Sequence, residues 1–529
     1  MKNPKWYLMT FGNRTAYWKS KKDNYDSKYL ELSYDVQLLS KGLLLKSEIG
    51  LRDLILSKGD SAVINKFNRL AEIKEILSNP SDEINRETLL KEFRLLERLL
   101  MKESELYGNY LHEFSYTFAD IRSSLGKKDV AIEFVSFPTS VLEEDNAMYC
   151  ALILKKGYKS PRMVPLFETK QLKAISSKRY YKGTSLSKLI WEPLEGELKG
   201  VKNIYFSPDG ELYNIAVESL PHYNGAGYMF DHWTFYRLSS TRELVKTKHK
   251  PYETKAVLYG GLHYDTDIVA FKDQTHISDE LYTTRGAELD SMRLRGSYGY
   301  LPGTLCEVER IDTLYTNTKT AATLYKGTLG SETSFKRLDG KKVTNLHIAT
   351  HGFYWTESEV RHDRDLRELS FVDREDPPRH VEDKAMTRSG LLFAGANHIL
   401  SGHPIPESCD DGILTAKEIS TLDLRGLDLL VLSACQTGLG EIKGDGVYGL
   451  QRGFKMAGAQ TIVMSLWKVD DDATQMLMTE FYKKYLSGQS KHDAFLAAQE
   501  VVRNFRGKIR GRDRDFSDPK YWAGFIMLD

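Results

Sequence analysis

Residues 427–472 read LDLLVLSACQTGLGEIKGDGVYGLQRGFKMAGAQTIVMSLWKVDDD. Leu427 to Ser433 and Thr461 to Leu466 are short apolar runs of strand length, and Val447 to Met456 between them has helical texture. Upstream, Val343 to Thr350 has the same character and ends in His351-Gly352. Downstream, Ala473 to Leu486 reads as a helix and Ala523 to Leu528 as a further strand. Largely apolar strands separated by helices suit a parallel sheet covered on both faces. In such a sheet ligands collect beyond the carboxyl ends of the strands, so the residues just past each strand matter most. After the first comes His351-Gly352, after the second Cys435 within Ala434-Cys435-Gln436-Thr437-Gly438, and after the third Trp467-Lys468-Val469-Asp470-Asp471-Asp472.

An imidazole and a thiol at neighbouring strand ends form a chemically specific pair. A free thiol is mostly protonated at neutral pH and needs a base or cation to become a nucleophile. His351 can take that proton and return it to a leaving amine. Gly352 has no side chain to block its backbone N–H, which with the N–H of Cys435 can form an oxyanion site. Taken singly, each residue has a simpler explanation: strand-end histidines are often structural, and a cysteine after an apolar strand often behaves as a small buried hydrophobe. Together they point to acyl transfer to Cys435 followed by hydrolysis. Cys150, Cys306 and Cys409 have no comparable setting.

The rest of the chain frames this pair. Its 529 residues, 41% hydrophobic, suffice for several folded units. Lys+Arg 74 against Asp+Glu 73 leaves a net charge of +1, so no global field selects nucleic acid or an anionic membrane. Four irregularly spaced cysteines argue against a disulfide framework or zinc knuckle and fit a reducing compartment. No apolar leader or membrane-length run is found, so a cytoplasmic location is expected. From about Tyr29 to Leu125 the pattern is helical. Val63, Phe67, Leu70, Ile73 and Leu77 line one stripe, Leu89, Phe93, Leu96 and Leu100 another, with Asn79-Pro80-Ser81 between them. From Asp129, strands are expected at Val130 to Phe137, Met148 to Leu154, Asn203 to Phe206 and Ala256 to Tyr259, with helical or irregular segments such as Leu186 to Lys199 between them. The charged stretch Thr356 to Arg388, with Pro377-Pro378, reads as a surface loop.

HIATHGFYW, LVLSACQTGLGEIKGDGVYGLQRGFKMAGAQTIVMSLWKVDDDAT and YWAGFIMLD together resemble the CHAT domain, a caspase-like cysteine peptidase family related to separase and often attached to tetratricopeptide repeats. SPDGELYNIAVESLP (207–221) and YRLSSTREL (236–244) resemble the family's upstream half, and the likeness runs from about Gly126 to Asp529. It implies an α/β, caspase-like three-layer sandwich with a mostly parallel sheet, in two stacked halves behind a helical region. The divisions expected are 1–126 helical, 127–255 non-catalytic and protease-like, and 256–529 catalytic. It also implies that His351 and Cys435 are a catalytic dyad acting on a protein substrate, with no metal or organic cofactor. Regulation through the helical region or a protein partner follows from the same resemblance, which also suggests a bacterial protease linked to defence.

The caspase signature Q-A-C-[RQG]-G is not met by Ser433-Ala434-Cys435-Gln436-Thr437-Gly438, so aspartate specificity does not carry over. Asp471 resembles the separase aspartate that receives a P1 arginine. It is the first candidate for a basic P1 pocket, with Asp445 second and Trp467 a further substrate-binding candidate. Asp470 or Asp472 can instead cap the following helix. Gly438 to Gly444 has the spacing GxGxxxG and lacks a P-loop lysine, so phosphate binding is rejected. The basic tract Arg503 to Arg514, with Phe505 its one aromatic, reads as a solvated loop, and no nucleic-acid or membrane partner is expected. The alternative to a peptidase is an inactive scaffold that keeps the fold for protein binding.

Overall fold

The computed structural model describes residues 13–17, 27–41, 116–139, 146–245, 254–266, 282–283, 297–318, 320, 322–355, 385–403, 405–406, 409–434, 437–438, 440–443 and 446–529, with isolated helical positions between 65 and 99. Most of both helical stripes and most of Thr356 to Arg388 lie outside these residues. Of the stripes, Ile73 and Leu96 are helical and buried, and Arg69 bonds Glu92 across the two segments at 2.9 Å.

The strands are β1 (Asp129–Pro138), β2 (Ala147–Leu154), β3 (Arg162–Glu168), β4 (Asn203–Ser207), β5 (Thr234–Arg237), β6 (Ala256–Leu262), β7 (Ala322–Gly327), β8 (Asn345–Ile348), β9 (Gly352–Tyr354), β10 (Ser389–Leu392), β11 (Ile413–Thr415), β12 (Leu429–Leu432), β13 (Gly440–Lys443), β14 (Gly446–Gly449), β15 (Thr461–Ser465), β16 (Arg506–Ile509), β17 (Arg512–Asp515) and β18 (Phe525–Leu528). Eleven of them form one sheet in the order β3-β2-β1-β4-β5-β18-β15-β12-β8-β6-β7. Seven of its ten neighbouring pairs are parallel, which makes the sheet mostly parallel, as expected. The two halves do not stack. They lie edge to edge in this single sheet, joined through β18, which runs parallel to β5 and antiparallel to β15. That antiparallel seam turns the two halves in opposite directions, so the carboxyl ends of β1, β4 and β5 lie at the opposite margin from those of β15, β12 and β8.

Alternation of side chains across each strand builds the layers. Leu430, Leu432, Ile462, Met464, Leu346 and Ile348 pack on one face, against α5 (Ala416–Thr421) and α6 (Leu450–Ala457). Leu429, Val431 and Val463 pack on the other, against α4 (Pro302–Asn317), α7 (Asp471–Leu486) and α8 (Lys491–Asn504). In the first half, Val130, Ile132 and Phe134 meet α3 (Ser185–Ile190). Ala131, Val135 and Phe137 meet α1 (Ser27–Ser40) and α2 (Phe118–Ser124). Burial on both faces explains the apolar runs, and truncating one such leucine to alanine costs about 2–5 kcal/mol.

One helix begins later than its texture suggests. Gly446–Gly449 is a strand paired with Gly440–Lys443, and α6 starts only at Leu450. A Cβ at Gly440 would come within 2.5 Å of the Tyr448 carbonyl oxygen, so the hairpin requires glycine there.

Candidate active site

Beyond β8 the backbone passes through Ala349 and Thr350 to His351, at the carboxyl margin of the second half. The buried Tyr264 hydroxyl donates to Thr350 Oγ1 at 2.8 Å, and Thr350 Oγ1 donates to the Leu392 carbonyl at 2.5 Å. The imidazole lies between the rings of Tyr264 and Tyr298, with centroids 5.0 and 5.1 Å away. Its Nε2 is 2.8 Å from the Gly299 carbonyl oxygen. A carbonyl only accepts, so Nε2 carries the proton, and Nδ1 is the unprotonated nitrogen whenever the ring is neutral. Burial pushes His351 below the ordinary histidine range and Lys468 adds to this, while the bond to Gly299 and the charge of Asp471 oppose it.

Gly352 opens β9, an outer strand of a small sheet ordered β9-β10-β11. The Leu392 N–H donates to the His351 carbonyl at 3.0 Å, which makes His351 and Leu392 a hydrogen-bonded pair of the antiparallel ladder. The next pair, Gly352 with Leu391, is then a non-bonded one, so the Gly352 N–H points away from β10 to the open side.

β12 lies beside β8 in parallel register, Leu429 opposite Asn345 and Leu432 opposite Ile348. The ladder continues through Ser433, whose N–H reaches the Ile348 carbonyl at 2.9 Å. Cys435 and Asp445 lie outside the described residues. The residues on either side of Cys435 are stitched to the end of β15. Ser465 Oγ donates to the Ala434 carbonyl at 2.6 Å, the Ser465 N–H reaches Thr437 Oγ1 at 3.2 Å, and the Gly438 N–H reaches the Ser465 carbonyl at 2.8 Å.

The three aspartates after β15 have separate fates. Asp470 caps α7, accepting from the N–H groups of Asp472 and Ala473 at 3.0 and 3.1 Å. Asp472 pairs with Arg514 at 2.7 Å. Asp471 has no ion-pair partner among the described residues and sits at the start of α4, where a Cβ on Gly303 would be 3.6 Å from its own Cβ. Partial desolvation raises its pKa, with Asp470 adding to the rise and Lys468 opposing it. Trp467 is engaged structurally: its Nε1–H donates to the Lys520 carbonyl at 3.1 Å and its ring packs 5.0 Å from that of Tyr181.

Gly299, Tyr264, Tyr298 and Ser465 escape a reading of the sequence, because they act through backbone, ring or hydroxyl groups far from His351 and Cys435 in the chain. The one available signal was Pro302-Gly303, a helix-start pair that sets α4 immediately after Gly299. Glu307 of α4 adds a buried contact beneath the site, 2.8 Å from His347 Nε2. No group of three or more His, Cys, Asp or Glu residues suited to a metal occurs among the described residues. None of the described helices is long and apolar enough to cross a membrane.

Residues 181–528 match the CHAT domain family, well over half of the sequence. The chain belongs to the CHAT domain family. Tetratricopeptide repeat protein 28 of Mus musculus is 35% identical over 117 residues, and its Homo sapiens counterpart 34% over 116. Each match takes in 22% of this chain and 4% of the relative, so the CHAT chain spans a small fraction of these relatives. Two solved structures are similar at 9% identity. The Arg-specific cysteine proteinase gingipain R has a TM-score of 0.34, covering 67% of this chain and 68% of its own. The Saccharomyces cerevisiae separase–securin complex has a TM-score of 0.39, covering 99% of this chain and 41% of its own.

Proposed function

We propose that this CHAT protein is a cysteine endopeptidase in which Cys435 is the nucleophile and His351 the acid–base. The observation that carries the reading is the fixed tautomer of His351. With Nε2–H committed to the Gly299 carbonyl, Nδ1 is left to accept a proton, and the lowered pKa keeps the ring neutral near neutrality. The β8–β12 register supports the partnership: each pair differs by 84 in residue number, as do His351 and Cys435.

In the first step Cys435 Sγ attacks the scissile carbonyl carbon as its proton passes to His351 Nδ1. The carbonyl oxygen becomes an oxyanion held by the N–H groups of Gly352 and Cys435. The tetrahedral species collapses when His351 protonates the leaving amine and the C–N bond breaks, leaving a thioester. Water then attacks the thioester carbon, giving a proton to His351, and the thiol is released with the new carboxyl terminus. Asp471, the one aspartate of its cluster without an ion pair among the described residues, is the group we assign to a basic P1 side chain. Asp445 is a second acidic candidate and Trp467 a wall of the same subsite. A regulatory protein partner acting through the helical region belongs to the same proposal.

Incubating the purified chain with a peptide library, beside Cys435→Ala, tests the assignment. Cleavage after basic residues by the parent and none by the variant is expected. Cleavage that persists in the variant removes Cys435 as nucleophile, and none in either favours the scaffold. Asp471→Asn is expected to flatten the preference for Arg and Lys at P1.

A further inference from the structure

The tract Arg503 to Arg514, read from sequence as a solvated loop, is instead the end of α8 followed by the hairpin β16–β17. Its stem is fixed. The rings of Phe505 and Phe516 are 5.3 Å apart, Phe516 meets Tyr521 at 4.9 Å, and Ile509 packs on the core beneath α7 and α8. Arg503 is spent on the fold, paired with Asp231 and lying over Tyr228, Phe230 and Trp522. Arg506 is 3.7 Å from Asp515, whose carboxylate also accepts from the Ser517 N–H.

Lys508, Arg510 and Arg512 are exposed. Lys508 and Arg512 form no ion pair among the described residues, although Lys508 stands opposite the exposed Asp513. Arg510 sits at the hairpin tip with φ 51° and is the one non-glycine residue with positive φ among those described; Gly511 follows at 78°. Two such residues make a type I′ turn, which asparagine and glycine occupy without strain and arginine does not. A cation thus stands where the backbone disfavours it, and strain of this kind clusters at functional sites.

The hairpin is also tied to the site. Arg514 reaches Asp472 at 2.7 Å and Asp470 at 3.7 Å, and Arg510 approaches Asp472 at 3.9 Å, so the hairpin grips the residues on both sides of Asp471.

We propose that β16–β17 is an exosite for an acidic segment of a polypeptide, held by Lys508, Arg510 and Arg512 while Asp471 takes a basic residue of the same chain. The substrate half of this statement rests on the peptidase reading; the binding half does not. A nucleic acid fits less well. The hairpin carries Asp513 and Asp515, adjoins the Asp470–Asp472 cluster, and exposes no aromatic ring on which bases could stack.

The test uses the Cys435→Ala chain of 529 residues and a fluorescein-labelled peptide with one arginine and a run of glutamates, read by anisotropy. Adding Lys508→Glu, Arg510→Glu and Arg512→Glu should weaken binding by about tenfold or more and lessen its salt dependence. A control peptide with glutamines in place of the glutamates should bind both proteins alike. Arg510→Gly relaxes the turn, so it should keep or raise Tm while weakening the acidic peptide, which separates binding from folding. Equal binding by parent and triple variant overturns the proposal, as does tighter binding of a single-stranded oligonucleotide through the same residues. Charge-dependent binding by a chain that cleaves no peptide would retain the exosite and remove the peptidase.

Discussion

The two halves of the sheet end in opposite ways. At the margin of β1, β4 and β5, the side chain of Lys41, just beyond α1, is buried. Its Nζ donates to Glu133 at 2.8 Å, to the carbonyls of Phe134, Ser207 and Pro208 at 2.8, 3.2 and 3.0 Å, and to Ser207 Oγ at 3.0 Å. Glu133 accepts in turn from the Thr241 N–H and from the hydroxyls of Thr241 and Ser240, at 2.6, 2.8 and 3.1 Å. At the margin of β8, β12 and β15, His351 is only partly covered and Asp471 is exposed. Strand ends leave backbone groups that need partners. The first half supplies them from within, through a lysine of the N-terminal region. The second leaves His351 and Asp471 accessible, where our proposal seats a peptide. The contrast separates a margin closed by its own side chains from one left open.

The largest effect that tests this contrast lies at the open margin. Cys435→Ala and His351→Ala should each lower kcat/KM on a cleaved peptide by on the order of 10^3-fold, while denaturant midpoints show stability within about 1 kcal/mol of the parent. The closed margin should behave in reverse. Lys41→Met leaves Glu133 buried without its cation and should cost about 3–5 kcal/mol in urea unfolding, whereas pairing it with Glu133→Gln should restore part of that. A loss under about 1 kcal/mol would show that water reaches this margin and that the halves differ less than their contacts imply.

Smaller effects sharpen the picture within the open half. Asp470→Ala removes the cap of α7 and should cost about 1 kcal/mol in thermal or denaturant unfolding. In pH profiles of kcat/KM, the acid limb should fall below the ordinary histidine value of about 6.5, because burial favours the neutral, proton-accepting ring. Lys468→Met removes a cation that disfavours protonation and should move the limb up in pH. Asp471→Asn removes an anion that favours protonation and should move it down. Movement of either in the other sense would show that the limb belongs to a group other than His351.

How much of the fold is legible in the sequence depends on where each strand lies. β1, β2, β8, β12, β15 and β18 are nearly or fully buried along their length, so their apolar runs announce them. β3 and β7, which carry no such signal, are the two outer strands of the eleven. Half-exposed and carrying residues such as Arg162, Pro165 and Lys326, they lack a continuous apolar run. β5 is only four residues long and half-buried. The antiparallel turn of β18 is hidden because an apolar strand looks the same in either direction. At the candidate site, the positions of His351, Gly352 and Asp471 just past strands are legible. The Gly299 carbonyl that sets the histidine tautomer is not, since any residue can present a carbonyl and only folding brings that one 2.8 Å from the ring.

β18 has a consequence for how the molecule is made. Phe525–Leu528 is the slat on which both halves are hung, with the Asp529 N–H closing onto the Arg237 carbonyl at 3.0 Å and its carboxylate onto Thr461 at 2.7 Å. A ribosome must therefore translate through Leu528 before the halves can lock together. During synthesis, the open margin and the closed one stay unjoined until β18 has left the exit tunnel.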